Sequence, residues 1–362
     1  MANQLFENYK LGNISLKNKT VMAPMTRSRA VNNNIPNDLM AKYYGQRAGA
    51  GLIVTEGTSP SPNGLGYPRI PGMYNQHHVD GWKLITNKVH EEGGKIFLQL
   101  MHCGRVAHYL NLPEGAQVMA PSAIIAEGQM YTDAEGMKEN DLPLEMSTTE
   151  VNDTIEEYVE AAKLAIKAGF DGVEIHGANG YLIEQFLNPS SNQRKDQFGG
   201  SITNRSKFLL NIVEKTIEAI GADKVGIRLS PNGAFNDMQP YPAMEETYHY
   251  LAEELNKLKI GYVHLLDHSA MGSTHLPAEV LKDFRDTFEG TLILGGNFNA
   301  ESGEEVLKAN KADLIAFGRP FLANPDLVKR LKTGAVLNQP DYDTFYTPGE
   351  KGYTDYPNLI EE

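Results

Sequence analysis

Short apolar runs, rich in β-branched residues, recur along the chain and are separated by longer stretches with helical periodicity. Runs of this length, bounded by glycine or polar residues, are typical of buried strands. The eight runs are TVMAPMT (20–26), LIVTEG (52–57), KIFLQLMH (95–102), GVEIH (172–176), VGIRLS (225–230), YVHLLD (262–267), LILGGN (292–297) and LIAFGR (314–319). Strands that alternate with helices indicate a parallel sheet with crossover helices, and eight of them predict an α/β fold, the (β/α)8 or TIM barrel.

The helical pattern is clearest in the second half of the chain. Ser147 and Glu150 match a capping box ahead of an amphipathic stretch, and Gly169 is placed to end that helix. Two further apolar stripes run over 208–217 and 244–258. These segments are the expected crossover helices.

Two stretches interrupt the alternation. Residues 103–146, after the third predicted strand, are too long and too polar for an ordinary strand-to-helix loop, which predicts an insert that forms a lid or a binding wall. The tail over 338–362, rich in tyrosine, proline and glycine, is expected to fold back over an opening. No linker pattern separates two domains, so a single domain over 1–362 is predicted.

The charge of the chain limits its partners. With 33 Lys+Arg against 46 Asp+Glu, the formal net charge of the 362-residue chain is -13. Such a charge repels phosphate backbones, which argues against nucleic acid and anionic membranes as partners. The opening residues lack the pattern of a secretory signal, and no apolar run approaches the roughly 20 residues that span a bilayer. A cytoplasmic location without membrane attachment is therefore expected.

A single cysteine limits the metal chemistry. With Cys103 alone, an intrachain disulfide, a thiolate zinc site and a protein-held iron–sulfur cluster are excluded. His176, Glu56, Asp267 and His264 could in principle gather as ligands, but no H-E-x-x-H motif or dense carboxylate cluster supports such a site. No metal is therefore predicted.

Polar side chains and glycines stand where the predicted strands end, which is where barrels of this kind carry their chemistry. In strand order these residues are Thr26, Glu56 with Gly57, Gln99, His176, Arg228, Asp267, Gly295 with Gly296 and Asn297, and Gly318 with Arg319.

The ends of the seventh and eighth strands predict a phosphate site. Glycine lets backbone N–H groups approach an anion, and the Arg319 guanidinium can grip two phosphate oxygens. The alternative is that these glycines only turn the chain and that Arg319 pairs with a carboxylate. Because the sequence has no G-x-G-x-x-G or G-x-x-x-x-G-K-[ST] motif, a Rossmann or P-loop site is not supported. Flavin mononucleotide (FMN) fits a phosphate held here and a ring that reaches across the strand ends.

Three strand-end side chains suit a flavin ring. Gln99 offers both a donor and an acceptor, which matches the amide edge of the pyrimidine ring. Arg228 would place a fixed positive charge where the reduced flavin becomes anionic, and Thr26 could donate to a ring carbonyl. Each of the three, taken alone, is more simply explained as an inward polar residue satisfied within the barrel.

His176, Asn179 and Tyr181 follow the fourth predicted strand within six residues. One tight turn could aim His176 and Asn179 at a single carbonyl oxygen, where two donors would stabilise a forming enolate more than the starting ketone. Tyr181, with an ordinary pKa of about 10, could supply a proton from the opposite side. With a hydride from below, these groups would reduce a polarised C=C bond.

The sequence resembles the Old Yellow Enzyme family of FMN-dependent ene-reductases, whose members fold as (β/α)8 barrels. The resemblance covers nearly the whole chain, and its central stretch is long and specific. The matching segments are LFENYKLGNISLKNKTVMAPMTRSRA, QLMHCGR, GVEIHGANGYLIEQFLNPSSNQRKDQFGGSITNR, IRLSP, IAFGRP and FYTPGEKGYTDYP.

The resemblance implies a role for particular residues. It implies that FMN is surrounded by Pro24, Met25, Thr26, Gly57, Gln99, Arg228, Gly295, Gly296, Asn297, Gly318 and Arg319. It makes His176 and Asn179 the pair that binds the substrate oxygen, and Tyr181 the proton donor. It also implies that Tyr67, Met101 and Tyr346 line the substrate pocket.

The resemblance further implies an activity. Members take a hydride from NADPH or NADH and pass it to enones, enals, maleimides or nitroalkenes at one shared site, so the two substrates bind alternately. Reduction of nitrate esters, nitroaromatics or quinones is an alternative on the same fold, as is a flavin-binding sensor. A cofactor-free isomerase or aldolase is disfavoured because no lysine stands at a strand end. A monomer or homodimer is expected.

Overall fold

The chain folds as a closed barrel of eight parallel strands, preceded by a short antiparallel hairpin. The computed structural model describes residues 3–271 and 273–360. The strands, numbered in chain order, are β1 (Tyr9–Leu11), β2 (Ile14–Leu16), β3 (Thr20–Met22), β4 (Leu52–Val54), β5 (Ile96–Leu100), β6 (Met119–Ala120), β7 (Gln129–Thr132), β8 (Gly136–Glu139), β9 (Leu144–Glu145), β10 (Gly172–Gly177), β11 (Val225–Leu229), β12 (Tyr262–Leu266), β13 (Thr291–Gly295) and β14 (Leu314–Phe317). The barrel follows the order β3-β4-β5-β10-β11-β12-β13-β14 and closes where β14 pairs with β3. The predicted (β/α)8 fold is confirmed.

Helices connect the barrel strands. They are α1 (Asp38–Gln46), α2 (Gln76–Glu91), α3 (Thr148–Lys167), α4 (Leu182–Leu187), α5 (Ile202–Ile220), α6 (Met244–Leu258), α7 (Ala278–Thr287), α8 (Ala300–Lys308), α9 (Arg319–Ala323) and α10 (Leu327–Thr333). The predicted capping box opens α3, where Ser147 Oγ accepts the Glu150 N–H and the Glu150 carboxylate accepts the Ser147 N–H. Gly169 follows α3 with a φ of +91°. None of the helices in the described part of the chain is long and apolar enough to cross a membrane.

Most barrel strands end one or two residues before their apolar runs do, and two of them end three or four residues early. The first run extends to Thr26, but β3 ends at Met22, and the second extends to Gly57, but β4 ends at Val54. Pro24 cannot donate a ladder hydrogen bond, which explains why the first strand stops before it. Thr26 and Gly57 therefore lie on loops above the barrel rather than within its strands.

The β1–β2 hairpin packs against the barrel interior. Leu11 and Leu16 share one apolar cluster with Val21, Leu52 and Leu314 from the beginnings of barrel strands. A larger cluster fills the layer between the barrel and the surrounding helices. Since apolar side chains fill these layers, the polar groups of the site are left at the opposite, carboxyl end of the strands.

The long insert lies between β5 and α3 and has secondary structure of its own. Its two small sheets are the parallel pair β6–β9 and the antiparallel hairpin β7–β8. Asn111 Nδ2 donates to the carbonyls of Gly66 and Tyr131, and Arg105 pairs with Asp237 in the loop after β11. These bonds fasten the insert to loops at the carboxyl end of the barrel.

Two buried arginines near the start of the chain hold the tail. The Arg29 guanidinium donates to the carbonyls of Thr344, Phe345 and Lys351. The Arg27 guanidinium donates to the carbonyls of Phe345 and Gly352. The tail therefore returns to the loop after β3. Residues 361 and 362 of the predicted tail lie outside the described residues.

Candidate active site

Two adjoining cavities open at the carboxyl ends of the barrel strands. Their volumes are about 820 Å³ and about 280 Å³. They share the lining residues Pro24, Thr26, Asn179, Arg228 and Tyr346, so they form one continuous cleft. All of the site residues predicted from the sequence line one cavity or the other.

The narrow cavity contains the predicted phosphate-binding residues. It is lined by Met25, Gly295, Gly296, Asn297, Gly318 and Arg319. A Cβ on Gly295 would come within 2.8 Å of His264 Nε2, so a larger residue would crowd the floor. The Arg319 guanidinium lies 5.8 Å from the centre of the Tyr342 ring and brings a positive charge to this end. Glycine edges and a guanidinium suit the phosphate of FMN.

A buried polar network forms the floor beneath the wide cavity. Gln99 Nε2 donates to Glu174 Oε1 at 2.8 Å, while Glu174 Oε2 accepts from Tyr262 and from His264 Nδ1, both at 3.0 Å. Burial alone would raise the pKa of Glu174, but His264 and Arg228 hold the pKa below its ordinary value. The carboxylate is therefore charged, and it fixes the position of the Gln99 amide.

Arg228 offers a donor that suits a ligand. Its side chain is buried, and its Nε finds no acceptor among the residues that the structure describes. A buried N–H without an acceptor is costly, so a group that accepts from it would be favoured. Since Arg228 lines both cavities, the polar edge of a flavin ring meets this requirement.

The hydrogen bonds of His176 fix its protonation. Its Nδ1 accepts the backbone N–H of Ala178 at 3.2 Å, which leaves the ring proton on Nε2. Burial, and next the positive charge of Arg228, lower the pKa of His176 well below its ordinary value. His176 is therefore a neutral side chain whose Nε2–H is a donor.

Asn179 adopts a left-handed backbone conformation, with a φ of +61°. Its N–H donates to Ser230 Oγ at 3.0 Å, and its carbonyl accepts from Asn236 Nδ2 at 2.8 Å. Asparagine tolerates this conformation better than most residues. As a result Asn179 Nδ2 lies 3.4 Å from His176 Nε2, and both nitrogens border the wide cavity.

Tyr181 stands beside this pair. Its ring meets the His176 ring edge-on with centroids 5.0 Å apart, and its hydroxyl donates to the Tyr67 hydroxyl at 3.0 Å. Burial, and next Tyr67, raise the pKa of Tyr181 well above 10, so the hydroxyl keeps its proton at neutral pH. Burial likewise raises the pKa of Cys103, which remains a thiol in the adjoining apolar cluster.

The residues of the metal alternative do not come together. Glu56 accepts from the Arg27 N–H and the Tyr44 hydroxyl, while His264 pairs with Glu174. Across residues 3–271 and 273–360, no group of three or more histidine, cysteine, aspartate or glutamate side chains is placed to hold a metal ion.

Several residues that line the wide cavity were not predicted from the sequence. Tyr67, Met101 and Tyr346 line the wide cavity, as the resemblance implied. Its further lining comprises Ser28, Pro68 and Arg69, then Gln129, Met130, Tyr131, Asp133 and Met137 of the β7–β8 hairpin, Phe235 after β11, and Tyr342, Asp343, Thr347 and Pro348 of the tail. The length of the insert was the available signal, but no local pattern identified the side chains that reach the cavity.

The closed barrel and the cleft at the carboxyl ends of its strands define a barrel-fold enzyme, and comparison with known proteins gives the family. Residues 4–338 match the NADH:flavin oxidoreductase / NADH oxidase family. A probable FMN-dependent alkene reductase of Leishmania infantum is 42% identical over 96% of this chain and 95% of its own. The 12-oxophytodienoate reductase 7 of Oryza sativa subsp. japonica is 39% identical over 98% and 94%.

Solved structures agree with these relatives. Morphinone reductase matches with a TM-score of 0.95 and 42% identity over 99% of this chain and 97% of its own. The Old Yellow Enzyme homologue from Zymomonas mobilis matches with a TM-score of 0.94 and 38% identity over 98% and 100%. The chain belongs to the NADH:flavin oxidoreductase / NADH oxidase family, the Old Yellow Enzyme family. The predicted family, oxidoreductase class, FMN cofactor and nicotinamide hydride donor are confirmed.

Proposed function

We propose that the protein reduces the activated C=C bond of α,β-unsaturated carbonyl or nitro compounds with a hydride from NADPH or NADH, the two substrates binding alternately. The observation that carries this proposal is the pair of neutral N–H groups, His176 Nε2 and Asn179 Nδ2, which lie 3.4 Å apart where they border the cavity. Morphinone reductase has been solved in complex with tetrahydroNAD, which supports a nicotinamide as the hydride donor.

The residues that would hold FMN divide by chemistry. Gly295, Gly296, Asn297, Gly318 and Arg319 suit its phosphate. Pro24, Met25, Thr26, Gly57, Gln99 and Arg228 suit its ring. The chemistry that bound FMN supplies is hydride transfer between the nicotinamide and the acceptor.

His176 and Asn179 would bind the oxygen of the acceptor. Negative charge grows on that oxygen as the β-carbon is reduced, and two preorganised donors stabilise this charge more than they stabilise the starting carbonyl or nitro group. Both donors are neutral, so the advantage comes from their fixed aim in a buried site rather than from ionic attraction.

Tyr181 would supply the proton that completes the reduction. Its hydroxyl keeps its proton because burial raises the pKa, and it stands beside the oxygen-binding pair. Tyr67 accepts from that hydroxyl and so holds the phenolic oxygen in place, and the hydroxyl would turn from Tyr67 to the substrate when it donates its proton. The released phenolate would then recover a proton from solvent through the open mouth.

The test is an anaerobic absorbance titration of the FMN-loaded protein with NADPH, followed by 2-cyclohexenone. The flavin spectrum is expected to bleach and then to recover when the enone is added. Bleaching without recovery by enones, maleimides or nitroalkenes would overturn the proposed acceptor class. A cytoplasmic location and a monomeric or homodimeric state stay predictions from the sequence.

A further inference from the structure

His268, just after β12, contacts the amide of Asn179. Its Nε2 lies 2.8 Å from Asn179 Oδ1. The ring is buried against Gly233, where an added Cβ would come within 2.6 Å of its Nδ1, so its position is fixed by packing. Its Nδ1 has no hydrogen-bond partner in the described part of the chain.

We propose that His268 is a positioning residue that fixes which end of the Asn179 amide faces the acceptor. The Nε2–H of His268 donates to Asn179 Oδ1, which turns Nδ2 toward His176 and the cavity. This inference rests on the proposed function, in which Asn179 must act as a donor.

The protonation of His268 agrees with this role. Burial, and next the charge of Arg228, lower the pKa of His268 to about 4, so the ring is neutral at physiological pH. A neutral ring has one proton to place. On Nε2 this proton meets the Asn179 oxygen, whereas on Nδ1 it would find no acceptor in the described residues.

Without His268 the amide would be free to turn over. The backbone of Asn179 is held by Ser230 and Asn236, so its side-chain amide is the part that can rotate. A rotation by half a turn would bring Oδ1 to the position 3.4 Å from His176 Nε2. That oxygen would accept the Nε2–H of His176, and both donors would be withdrawn from the acceptor at once.

The experiment compares three variants of the FMN-loaded protein. His268→Phe keeps a ring of similar size but removes the donor, and His268→Gln keeps a donor at the same reach. His249→Phe, on the exposed face of α6, is the matched control. The readouts are the dissociation constant for 4-chlorophenol, from the absorbance of the oxidised flavin, and the rate of reoxidation by 2-cyclohexenone.

His268→Phe is expected to weaken 4-chlorophenol binding and to slow reoxidation by about tenfold each, as the loss of one aligned hydrogen bond implies. His268→Gln is expected to restore most of both, and His249→Phe to match the wild type. Wild-type values in His268→Phe would overturn the inference.

A double-mutant cycle separates positioning from a general loss of structure. In the Asn179→Ala background, His268→Phe is expected to add no further loss, since the histidine acts through that amide. An equal loss with and without the amide would overturn the inference. If none of the unsaturated acceptors reoxidises the flavin of the wild type, the proposed function fails. The double-mutant cycle measured by 4-chlorophenol binding still decides the role of His268 in that case.

If His268→Phe does not bind FMN, the protonation of His268 can still be measured in the wild-type protein. Wild-type protein labelled with ¹⁵N-histidine is compared by NMR with His268→Gln to assign the His268 ring. An Nε2-protonated ring is expected, and an Nδ1-protonated ring would contradict the proposed orientation.

Discussion

The floor of the cleft and its rim are built in different ways. In the floor, His176, Asn179 and Arg228 stand at the ends of barrel strands, and hydrogen bonds to Ala178, Ser230 and Asn236 hold the turn of His176 and Asn179. In the rim, Tyr131 and Tyr346 come from the β7–β8 hairpin and the tail, and these side chains are 49% and 61% exposed. The floor is therefore fixed in geometry and protonation, whereas the rim presents apolar surface that can adapt.

This difference separates two tasks. Stabilising a developing charge requires donors whose aim and protonation do not change, and the hydrogen-bonded turn of His176 and Asn179 provides them. Accommodating acceptors of different shape requires contact area without fixed geometry, and aromatic and methionine side chains at the mouth provide it. Changes in the floor should therefore affect rate for every acceptor, while changes in the rim should affect affinity for some acceptors.

The largest effect is expected from removing both floor donors. His176→Ala together with Asn179→Ala should slow reoxidation by 2-cyclohexenone by about 10³-fold, because removing one such donor costs roughly 10² to 10³. FMN should stay bound, since the residues proposed to hold it lie on or follow other barrel strands. Stopped-flow reoxidation and the FMN content measure both outcomes. Unchanged turnover would remove the pair from the mechanism.

Tyr181→Phe is expected to have the next largest effect. Loss of a positioned acid should slow reoxidation by an enone by about 10²-fold, with flavin reduction by NADPH much less affected. Because the pKa of Tyr181 is raised well above 10, the wild-type rate should not fall between pH 7 and pH 9. Tyr67→Phe, which removes only the partner of the hydroxyl, should cost less. Equal slowing of both half-reactions by Tyr181→Phe would indicate a structural role.

Glu184, behind the turn of Asn179, should give the floor a pH-dependent stability. It accepts from the Gly180 N–H at 2.6 Å and from Ser230 Oγ, yet burial dominates and raises its pKa to about 7. Between about pH 4.5 and pH 7 the folded state keeps a proton that the unfolded state releases. Stability therefore falls as pH rises through this window, by up to about 1.4 kcal/mol per pH unit.

Glu184→Gln should remove this contribution. The thermal midpoint of Glu184→Gln, measured relative to that of the wild type, is expected to rise between pH 5 and pH 7. Above pH 8 the difference between the two midpoints is expected to stay constant. Scans of both FMN-loaded proteins at each pH measure it. A difference that does not change with pH would show that Glu184 titrates with its ordinary pKa.

The smallest effect is expected at the rim. Tyr131→Ala should raise KM for a bulky polycyclic enone by about fivefold, equivalent to about 1 kcal/mol of lost apolar contact, while KM for 2-cyclohexenone should hardly change. Tyr109→Ala is the matched control, because Tyr109 is an exposed tyrosine of the same insert that does not line the cavity. A large loss of kcat in Tyr131→Ala would break the proposed separation between floor and rim.

The sequence predicts the floor far better than the rim for physical reasons. The barrel strands are apolar runs, and the side chains that follow them must meet at one end of a parallel barrel. His176 and Asn179 are also close in sequence, so a local turn brings them together. The predicted end of β3 was wrong because Pro24 interrupts the hydrogen bonds between strands inside an otherwise apolar run.

Other features depend on contacts between distant parts of the chain. Tyr131 and Tyr342 reach one cavity from segments about 200 residues apart, and no periodic pattern encodes that meeting. Glu174, Glu184 and His268 support the site from behind. In the sequence they look like isolated polar residues, and their hydrogen-bond partners define their roles.

The turn that aims Asn179 also bears on chemical ageing. An asparagine followed by glycine tends to cyclise, because the glycine nitrogen attacks the side-chain amide and expels ammonia, and the resulting succinimide opens to aspartate or isoaspartate. In the fold, the Gly180 N–H donates to Glu184 and the Asn179 amide contacts His268, and both bonds restrain the reacting groups. If this turn opens during storage, the Asn179 amide would become a carboxylate at the place where the acceptor oxygen becomes negative. Refolding would not restore the lost donor, because the change is covalent.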